Sequence, residues 1–349
     1  MSCGVMLMAA LVAGAGEMTG GEITDITWEL GPNLPEHRKG GCAASLAGKV
    51  VSAFGMRYPW GEMATTYVFD PAAGWWSRGP AGPVGQCYVQ GTECGEAFYS
   101  IGGRKGSVRK ECYRLTAKGS AYEWSEAPPL NDARGWAPSV AVDGTLYVFG
   151  GAKGGHGPTL GSVEALDTTD HAARWRTIAT IPGPSRGWLG AATAGGKIYV
   201  FGGSHFFEPK PENGPDRLRL DEVLRFDPAT GEWREMNPLP YRLSGMDSCV
   251  YRDRYIIVVG GAPEVEDFSP ELRAIYEKTE RYESYYCPFV LVYDVVADSW
   301  RVLPSVLPMP TNDVRAVLLE GKLYVLGGEN VEPATSNTTA WLRIGTIVE

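Results

Sequence analysis

Pairs of adjacent glycines recur along the chain, each at the end of a short apolar run and most of them followed by a tryptophan. The pairs are Gly102-Gly103, Gly150-Gly151, Gly202-Gly203, Gly260-Gly261 and Gly327-Gly328, with Gly55 of "VSAFGM" as a degenerate first copy. The tryptophans are Trp76, Trp124, Trp175, Trp233 and Trp300. Self-similarity with a period of this kind constrains the fold strongly, because it requires one supersecondary unit to be repeated along the chain.

The spacing between these landmarks separates scaffold from loop. The distance from each tryptophan to the next strand-end glycine is nearly constant, whereas the distance from each glycine to its own tryptophan almost doubles between the first repeat and the fifth. A constant segment indicates scaffold, and a variable one indicates loops that carry function on a fixed frame. Trp28 precedes Gly55 by the same constant distance without a glycine pair of its own, and Gly327-Gly328 has no tryptophan at the expected distance. The spacing therefore predicts that the strand around Trp28 completes the last repeat.

Each repeat reads as four short strands bounded by Gly, Pro, Asp and Asn turns, for example "GWLGAATAG", "KIYVFGG", "DEVLRFDPA" and "EWREMNPLP". Four-stranded sheets repeated radially form a β-propeller. The sequence predicts an all-β, six-bladed propeller over residues 21–349 as a single domain, with Ile23 to Leu30 paired with Thr339 to Ile347. Ser269 to Tyr286 predicts a helical insertion in blade five. The period and its landmarks resemble the kelch repeat.

The net charge of -9 argues against nucleic acid as a partner, because its phosphate backbone requires a basic face. No apolar stretch is long enough to predict a membrane-spanning helix. Residues 1–20 predict a signal peptide or a disordered start, since an apolar run over Val5 to Ala13 is followed by the small residues Ala13-Gly14-Ala15. We expect an exported, periplasmic or secreted protein, or a cytoplasmic one if this run is no signal.

The sequence predicts neither a metal site nor a cofactor. The four histidines share no metal-ligand spacing, and the seven cysteines form no C-x-x-C pair.

If strand directions alternate within a blade, the variable loops open on the same face as the turns after each tryptophan. We call this face the mouth. Those turns carry an arginine series at Arg38, Arg134, Arg186 and Arg242, and Arg57 and Arg104 follow second strands. Guanidinium groups bind carboxylates in bidentate geometry, so the series predicts a site for a small anion. The alternative is that these arginines cap strand carbonyls or pair with Asp and Glu between blades.

Glu329 directly follows the last glycine pair in "GGENVEP", where a carboxylate can serve as a general base at the mouth. Its alternative role is that of a loop acid paired with a cation. Asn330 beside it is a candidate substrate-binding residue, and His205 in the corresponding zone of blade four is a candidate acid.

The segment from about Arg186 to Asn330 contains "PSRGWLGAATAGGKIYVFGG", then "YYCPFVLVYDVVADSW" after a helical insertion, then "GGE". In this order the three motifs resemble the bacterial N-acetylneuraminate mutarotases, also called epimerases. The resemblance implies an exported six-bladed kelch propeller, here with a circularly permuted blade order, and it maps the proposed proton acceptor of that family onto Glu329. The family has an arginine six residues further on, where this sequence has Thr335.

The resemblance implies a small acidic sugar as the ligand, whose ring opens and recloses when a base takes the anomeric proton and an acid protonates the ring oxygen. Two other classes remain open. One is a non-catalytic propeller that binds carbohydrate or protein partners, because a fold does not determine a function. The other is a copper radical oxidase, which the dispersed histidines do not favour.

Overall fold

Six four-stranded antiparallel sheets lie in a ring in the computed structural model, which describes residues 21–119, 121–155, 157–279, 286–330 and 338–349. The predicted signal segment, residues 1–20, lies outside the described residues. The first strand of each sheet is innermost, and these six strands contact one another around a central channel. The all-β, six-bladed architecture is therefore confirmed.

Strand bounds follow the order of the chain. Blade one contains β2 (Cys42–Leu46), β3 (Lys49–Ala53), β6 (Thr66–Asp70) and β7 (Trp75–Arg78), with the hairpin β4 (Met56–Arg57) and β5 (Gly61–Glu62). Blade two contains β8 (Gln90–Cys94), β9 (Ala97–Ile101), β12 (Cys112–Lys118) and β13 (Ala121–Ala127), with the hairpin β10 (Arg104–Lys105) and β11 (Ser107–Val108). Blade three contains β14 (Ser139–Val142), β15 (Thr145–Phe149), β16 (Ser162–Asp167) and β17 (Arg176–Thr180).

Blade four contains β18 (Gly190–Ala194), β19 (Lys197–Phe201), β22 (Val223–Phe226) and β23 (Trp233–Met236), with the hairpin β20 (Ser204–Phe206) and β21 (Arg217–Arg219). Blade five contains β25 (Asp247–Tyr251), β26 (Tyr255–Val259), β28 (Phe289–Asp294) and β29 (Ser299–Val306), with the short pair β24 (Leu243–Ser244) and β27 (Ala262–Pro263). Blade six contains β30 (Arg315–Leu319), β31 (Lys322–Leu326), β32 (Leu342–Val348) and, outermost, β1 (Asp25–Leu30).

The N-terminal strand closes blade six, as the tryptophan spacing predicts. β1 pairs with β32 in antiparallel register from Asp25 opposite Val348 to Leu30 opposite Arg343. Ile23 and Ile26 are buried in the core cluster that joins blades five and six. This strand covers the edge of β32 and gives blade six four strands like the other blades, which ties the two ends of the chain together.

The helical insertion in blade five is shorter than predicted. The α-helix α1 spans Pro270–Lys278, preceded by a 3₁₀ turn over Val265–Asp267. Ser269 caps its N-terminus by accepting a hydrogen bond from the Leu272 N–H at 3.3 Å. Thr279 has extended backbone angles, so the helix ends there, and residues 280–285 of the predicted helix lie outside the described residues. None of the helices among the described residues is long and apolar enough to span a membrane.

The glycine pairs attach each blade to the next. The second glycine of a pair donates its N–H to a carbonyl in the turn of the following blade, for example Gly103 to Arg134 at 2.8 Å and Gly151 to Arg186 at 2.9 Å. Gly102 has a φ of 60° and lies against the Arg134 carbonyl, where a Cβ atom would approach the oxygen to 2.5 Å. Only glycine fits this conformation and this close approach.

Candidate active site

Six equivalent residues with positive φ surround the channel where it opens at the mouth. Each lies in the turn just before an innermost strand, and we call the six together the collar. They are Gly40 (57°), Tyr88 (51°), Trp136 (54°), Trp188 (55°), Gly245 (72°) and Asp313 (50°). Backbone N–H groups of Trp136, Trp188, Gly245 and Asp313 each donate to the carbonyl of the preceding collar residue at 2.8 to 3.1 Å. The collar is therefore a hydrogen-bonded arc at the centre of the mouth.

One side of the collar is aromatic. The ring centroids of Tyr88 and Trp136 are 4.4 Å apart, those of Trp136 and Trp188 are 4.8 Å apart, and Phe206 follows Trp188 at 5.3 Å. The Tyr88 ring covers Gly40 so closely that a Cβ atom there would lie 2.7 Å from it. These four adjacent rings, the aromatic arc, present an apolar wall across blades two to four.

The other side of the collar is charged. Asn312 and Glu329 exchange backbone hydrogen bonds of 3.0 and 2.6 Å, which places the Glu329 side chain next to the collar residue Asp313. Lys39 of blade one reaches across the blade boundary, and its Nζ lies 2.8 Å from Glu329 Oε1. The same ammonium lies 4.8 Å from the centre of the Trp60 ring. Lys39 therefore holds the Glu329 carboxylate in a charge-assisted, largely buried pair.

Asp313 is buried beside that pair. Burial, and then the negative charge of Glu329, raise the pKa of Asp313 to about 6, although Arg315 and Lys39 oppose the shift. Burial and these two carboxyl groups also raise the hydroxyl pKa of Tyr286, which stays protonated at neutral pH. A carboxyl group with a raised pKa beside a second carboxyl group is an arrangement that acid and base catalysis can use.

A cavity of about 640 Å³ opens beside the collar, between blades four and five. Its walls include Trp188 and Phe206 of the aromatic arc, Arg217 and Arg219 of β21, Tyr276 of α1, Tyr286 and Asn312. Trp188 also lines a small neighbouring pocket that contains Asp313, and Asn312, which precedes Asp313, lines the cavity itself. The cavity therefore adjoins the charged side, whose Lys39, Asp313 and Glu329 are not among its lining residues. This volume lies in the range of small-molecule sites.

Three of the arginines predicted at the mouth are buried in the scaffold. Arg38 donates to the carbonyls of Phe54 and Thr65, and burial lowers its pKa to about 10. Arg134 pairs with Glu164, and Arg186 pairs with Glu222. Their substrate-binding role stays a prediction. In the structure, each of them forms hydrogen bonds or an ion pair within its own blade.

The other three arginines lie on mouth loops and pair with carboxylates. Arg242 forms two bonds of 2.7 Å with Asp267, which raise its pKa. Arg57 pairs with Glu36 at 3.1 Å, and Arg104 lies 3.8 Å from Glu62. None of the three is among the residues that line the cavity.

His205 and Asn330 occupy different surroundings. His205 faces away from the cavity because side chains alternate along β20, where Ser204 and Phe206 line it. The His205 Nδ1 lies 2.8 Å from the Ser185 carbonyl at the rim between blades three and four. Asn330 is buried, and its Oδ1 has no hydrogen-bond partner among the described residues. The predicted roles of both residues stay predictions, and Thr335 lies outside the described residues.

Sequence reasoning did not single out Lys39, Asp313, Arg217 or Arg219. Among the residues that the structure describes, no group of three metal-ligating side chains could hold a metal ion.

The Arg134–Glu164 pair should contribute strongly to stability. Both side chains are essentially inaccessible, at 1% and 0% exposure, so Glu164→Gln leaves a buried guanidinium without its counter-charge. We expect the free energy of unfolding in urea to fall by about 3 to 5 kcal/mol. The exposed pair of Lys118 and Glu123 provides the control, and Glu123→Gln should leave the free energy of unfolding nearly unchanged. Equal effects of the two variants would contradict the structural role of Arg134.

Asp313 should make stability depend on pH. Its folded pKa of about 6 lies above the ordinary value of 3.8, so its contribution to stability is fully present below pH 3.8 and is lost as the pH rises through 6. Asp313→Asn removes this titration. We therefore expect the melting temperature of the variant, relative to that of wild type, to rise by about 3 °C when the pH is raised from 4.5 to 7.5. The control Asp216→Asn, at the exposed 3.9 Å pair with Lys210, should keep a constant difference. A constant difference for Asp313→Asn as well would refute the raised pKa.

Comparison with known proteins identifies both kelch proteins and epimerases. The chain is 26% identical over 264 residues to Kelch-like protein terF of Aspergillus terreus, covering 68% of this chain and 52% of that protein. It is 25% identical over 223 residues to Kelch-like protein 35 of Mus musculus, covering 64% of this chain and 32% of that protein. It is also 25% identical over 231 residues to N-acetylneuraminate epimerase of Yersinia enterocolitica, covering 61% of this chain and 56% of that protein.

In each of these pairs the chain matches little more than half of its relative's length, or less. The match to a family is broader, and it extends over residues 88–328, from the collar residue Tyr88 to the last glycine pair. The repeated glycine pairs, the six four-stranded sheets and this match agree, and the chain belongs to the kelch-repeat family described as the KLHDC2/KLHL20/DRC7 Kelch-repeats domain.

Proposed function

We propose that this protein binds a small acidic sugar, N-acetylneuraminate or a close relative, at the mouth and accelerates the exchange of its anomers. The observation that carries the proposal is the pair of carboxyl groups beside the cavity. Glu329 forms an ion pair with Lys39, and Asp313 has a pKa of about 6. One base and one acid therefore lie together next to a cavity of sugar size.

The reaction needs no electron transfer and no cofactor. Glu329 accepts the proton of the anomeric hydroxyl while the bond between the anomeric carbon and the ring oxygen breaks, and protonated Asp313 donates its proton to that oxygen. Rotation of the open-chain carbonyl and the reverse transfers give the other anomer, with both carboxyl groups restored. Asp313 thus takes the role of acid that the sequence suggested for His205. A positioned acid or base contributes about 10²- to 10⁴-fold.

Two further observations support this proposal. The aromatic arc gives the site an apolar wall, against which the C–H face of a sugar ring can pack. The similarity to the N-acetylneuraminate epimerase of Yersinia enterocolitica adds a relative with a matching name.

A non-catalytic propeller that binds a carbohydrate or protein partner is the second candidate. The similarity to Kelch-like proteins favours it, and so do the exposed rings of Tyr58 and Trp60 on the hairpin of blade one, which are 50% and 47% exposed. Exposed aromatic side chains on a loop face are typical of recognition surfaces.

Anomer exchange measured by saturation-transfer NMR separates the two candidates. Wild-type protein should raise the exchange rate of N-acetylneuraminate above the buffer rate in proportion to enzyme concentration. The rate should fall as the pH rises above about 6, because Asp313 must be protonated to donate. Exchange at the buffer rate in the presence of a bound sugar would support the binding propeller instead.

A further inference from the structure

We propose that Arg217 and Arg219 form an anion site in the cavity between blades four and five and select ligands that carry a carboxylate. The inference deepens the proposed function, on which it rests for the identity of the cavity as the substrate site. These two arginines are outside the arginine series of the turns, since they lie in the variable insertion of blade four.

The hairpin register directs both guanidinium groups into the cavity. In the pairing of β20 with β21, Ser204 lies opposite Arg219 and Phe206 lies opposite Arg217, while His205 lies opposite Leu218. Directly opposed side chains share a face of the hairpin, so Ser204, Phe206, Arg217 and Arg219 face one way. All four of these residues line the cavity.

The two arginines are like charges on one face of a short strand. Burial, and then the charge of Arg217, lower the pKa of Arg219. Like charges so placed repel each other and require compensation by an anion. A bound carboxylate between them would supply this compensation in the bidentate geometry that guanidinium groups favour.

The protein supplies that compensation only in part. Glu264 pairs with Arg219, with 3.1 Å between its Oε2 and Nη1, while the buried Nε of Arg219 has no partner among the described residues. Arg217 lies 6.0 Å from the centre of the Phe206 ring, and no ion pair joins it to a carboxylate within the described part of the chain. Glu264 and Glu266 both line the cavity. Arg217 is therefore the guanidinium group left for a ligand, beside Arg219, whose charge Glu264 compensates in part.

A further lining residue, Asn312, connects the anion site to the two carboxyl groups. Asn312 lines the cavity and is bonded through its backbone to Glu329, and the next residue is Asp313. A sugar whose carboxylate is fixed at Arg217 and Arg219 extends toward Asn312 and the two carboxyl groups that transfer protons. The anion site thus acts in binding and orientation, and the carboxyl pair acts in the reaction.

The test compares N-acetylneuraminate with its methyl ester, which has nearly the same shape without the charge, by calorimetric titration. Wild-type protein should bind the acid more tightly than the ester. Arg217→Gln and Arg219→Gln should each weaken binding of the acid by about 10- to 100-fold and leave binding of the ester unchanged. Arg254→Gln, which removes the same charge from the remote pair with Asp294, should bind both ligands as wild type does.

Wild-type protein that binds acid and ester equally, or arginine variants that bind the acid as wild type does, would overturn the anion site. Loss of ester binding in the variants would also overturn it, since that result indicates damage to the cavity. If the acid binds through Arg217 and Arg219 but its anomers exchange at the buffer rate, the anion site stands and the proposed function fails. If exchange is accelerated equally for acid and ester, the proposed catalysis stands and the anion site fails.

Discussion

Glu329→Gln should reduce the anomer exchange of N-acetylneuraminate by about 10²- to 10⁴-fold, because the amide keeps the size of the side chain but accepts no proton at neutral pH. Binding of the sugar should change little, since Arg217 and Arg219 hold its carboxylate. The substitution also leaves Lys39 without its counter-charge, so melting curves should accompany the rates. Saturation-transfer NMR gives the exchange rate, and titration of the same samples gives the affinity.

Glu62→Gln is the matched control for this variant. Glu62 is also a carboxylate on the mouth loops and lies 3.8 Å from a cation, Arg104, but it belongs to the hairpin of blade one. Exchange by this control should equal that of wild type. If Glu329→Gln exchanges anomers as fast as the control, Glu329 is not the base.

Deletion of the chain through Leu30 should destroy or severely weaken the folded ring. β1 would be lost, which leaves β32 as an unpaired edge and removes the buried side chains of Ile23 and Ile26 from the core between blades five and six. Loss of two buried isoleucine side chains alone lowers the free energy of unfolding by about 4 to 10 kcal/mol. We therefore expect the melting temperature to fall by on the order of 10 °C or more. Thermal unfolding followed by circular dichroism measures this.

Glu29→Gln is the control, because it changes a residue of β1 without removing the strand. The Glu29 side chain is largely exposed, although β1 pairs with β32. The melting temperature of this variant should match that of wild type. A synthetic peptide of residues 21–30 should restore part of the lost stability to the truncated chain. Truncated protein that melts with wild type would show that the ring does not depend on this closure.

The fold was predictable because a propeller repeats one packing problem six times. The constant segment from tryptophan to glycine spans an outermost strand, the turn to the next blade and two further strands, all of which must keep the same length. That constraint is strong enough to assign Trp28 to a sheet whose other strands lie at the opposite end of the chain. The Gly-to-Trp segment has no such constraint, and the end of α1 at Lys278 could not be located from it.

The orientation of the arginines could not be read from their spacing. A side chain at the position of Arg134 can point to the mouth or back into its blade, and its partner Glu164 lies on a different strand, β16. The direction of the side chain depends on whether carbonyl and carboxylate groups at the strand ends inside the blade lack a hydrogen-bond donor. In the structure they do, and burial of the guanidinium group follows.

The positions of the collar residues could be predicted from the same tryptophan spacing, although the pKa of Asp313 could not. Each collar residue follows a landmark tryptophan at a nearly constant distance, so comparing that position across the repeats gives Gly40, Tyr88, Trp136, Trp188, Gly245 and Asp313. The raised pKa of Asp313 depends on burial and on Glu329, which only the folded ring brings together. Arg217 and Arg219 lie in the variable insertion of blade four, so no constant repeat position indicates them.

The central claim is that the cavity, the anion site and the two carboxyl groups form a single substrate site. A crystal structure of the Glu329→Gln variant soaked in N-acetylneuraminate tests it most directly, because the variant should bind the sugar without turning it over. We expect the sugar in the cavity, with its carboxylate on Arg217 and Arg219, its ring against Trp188, and its anomeric oxygens within hydrogen-bond distance of residue 329 and Asp313. A sugar bound on the hairpin of Tyr58 and Trp60, or anywhere else away from Asp313, would contradict the claim.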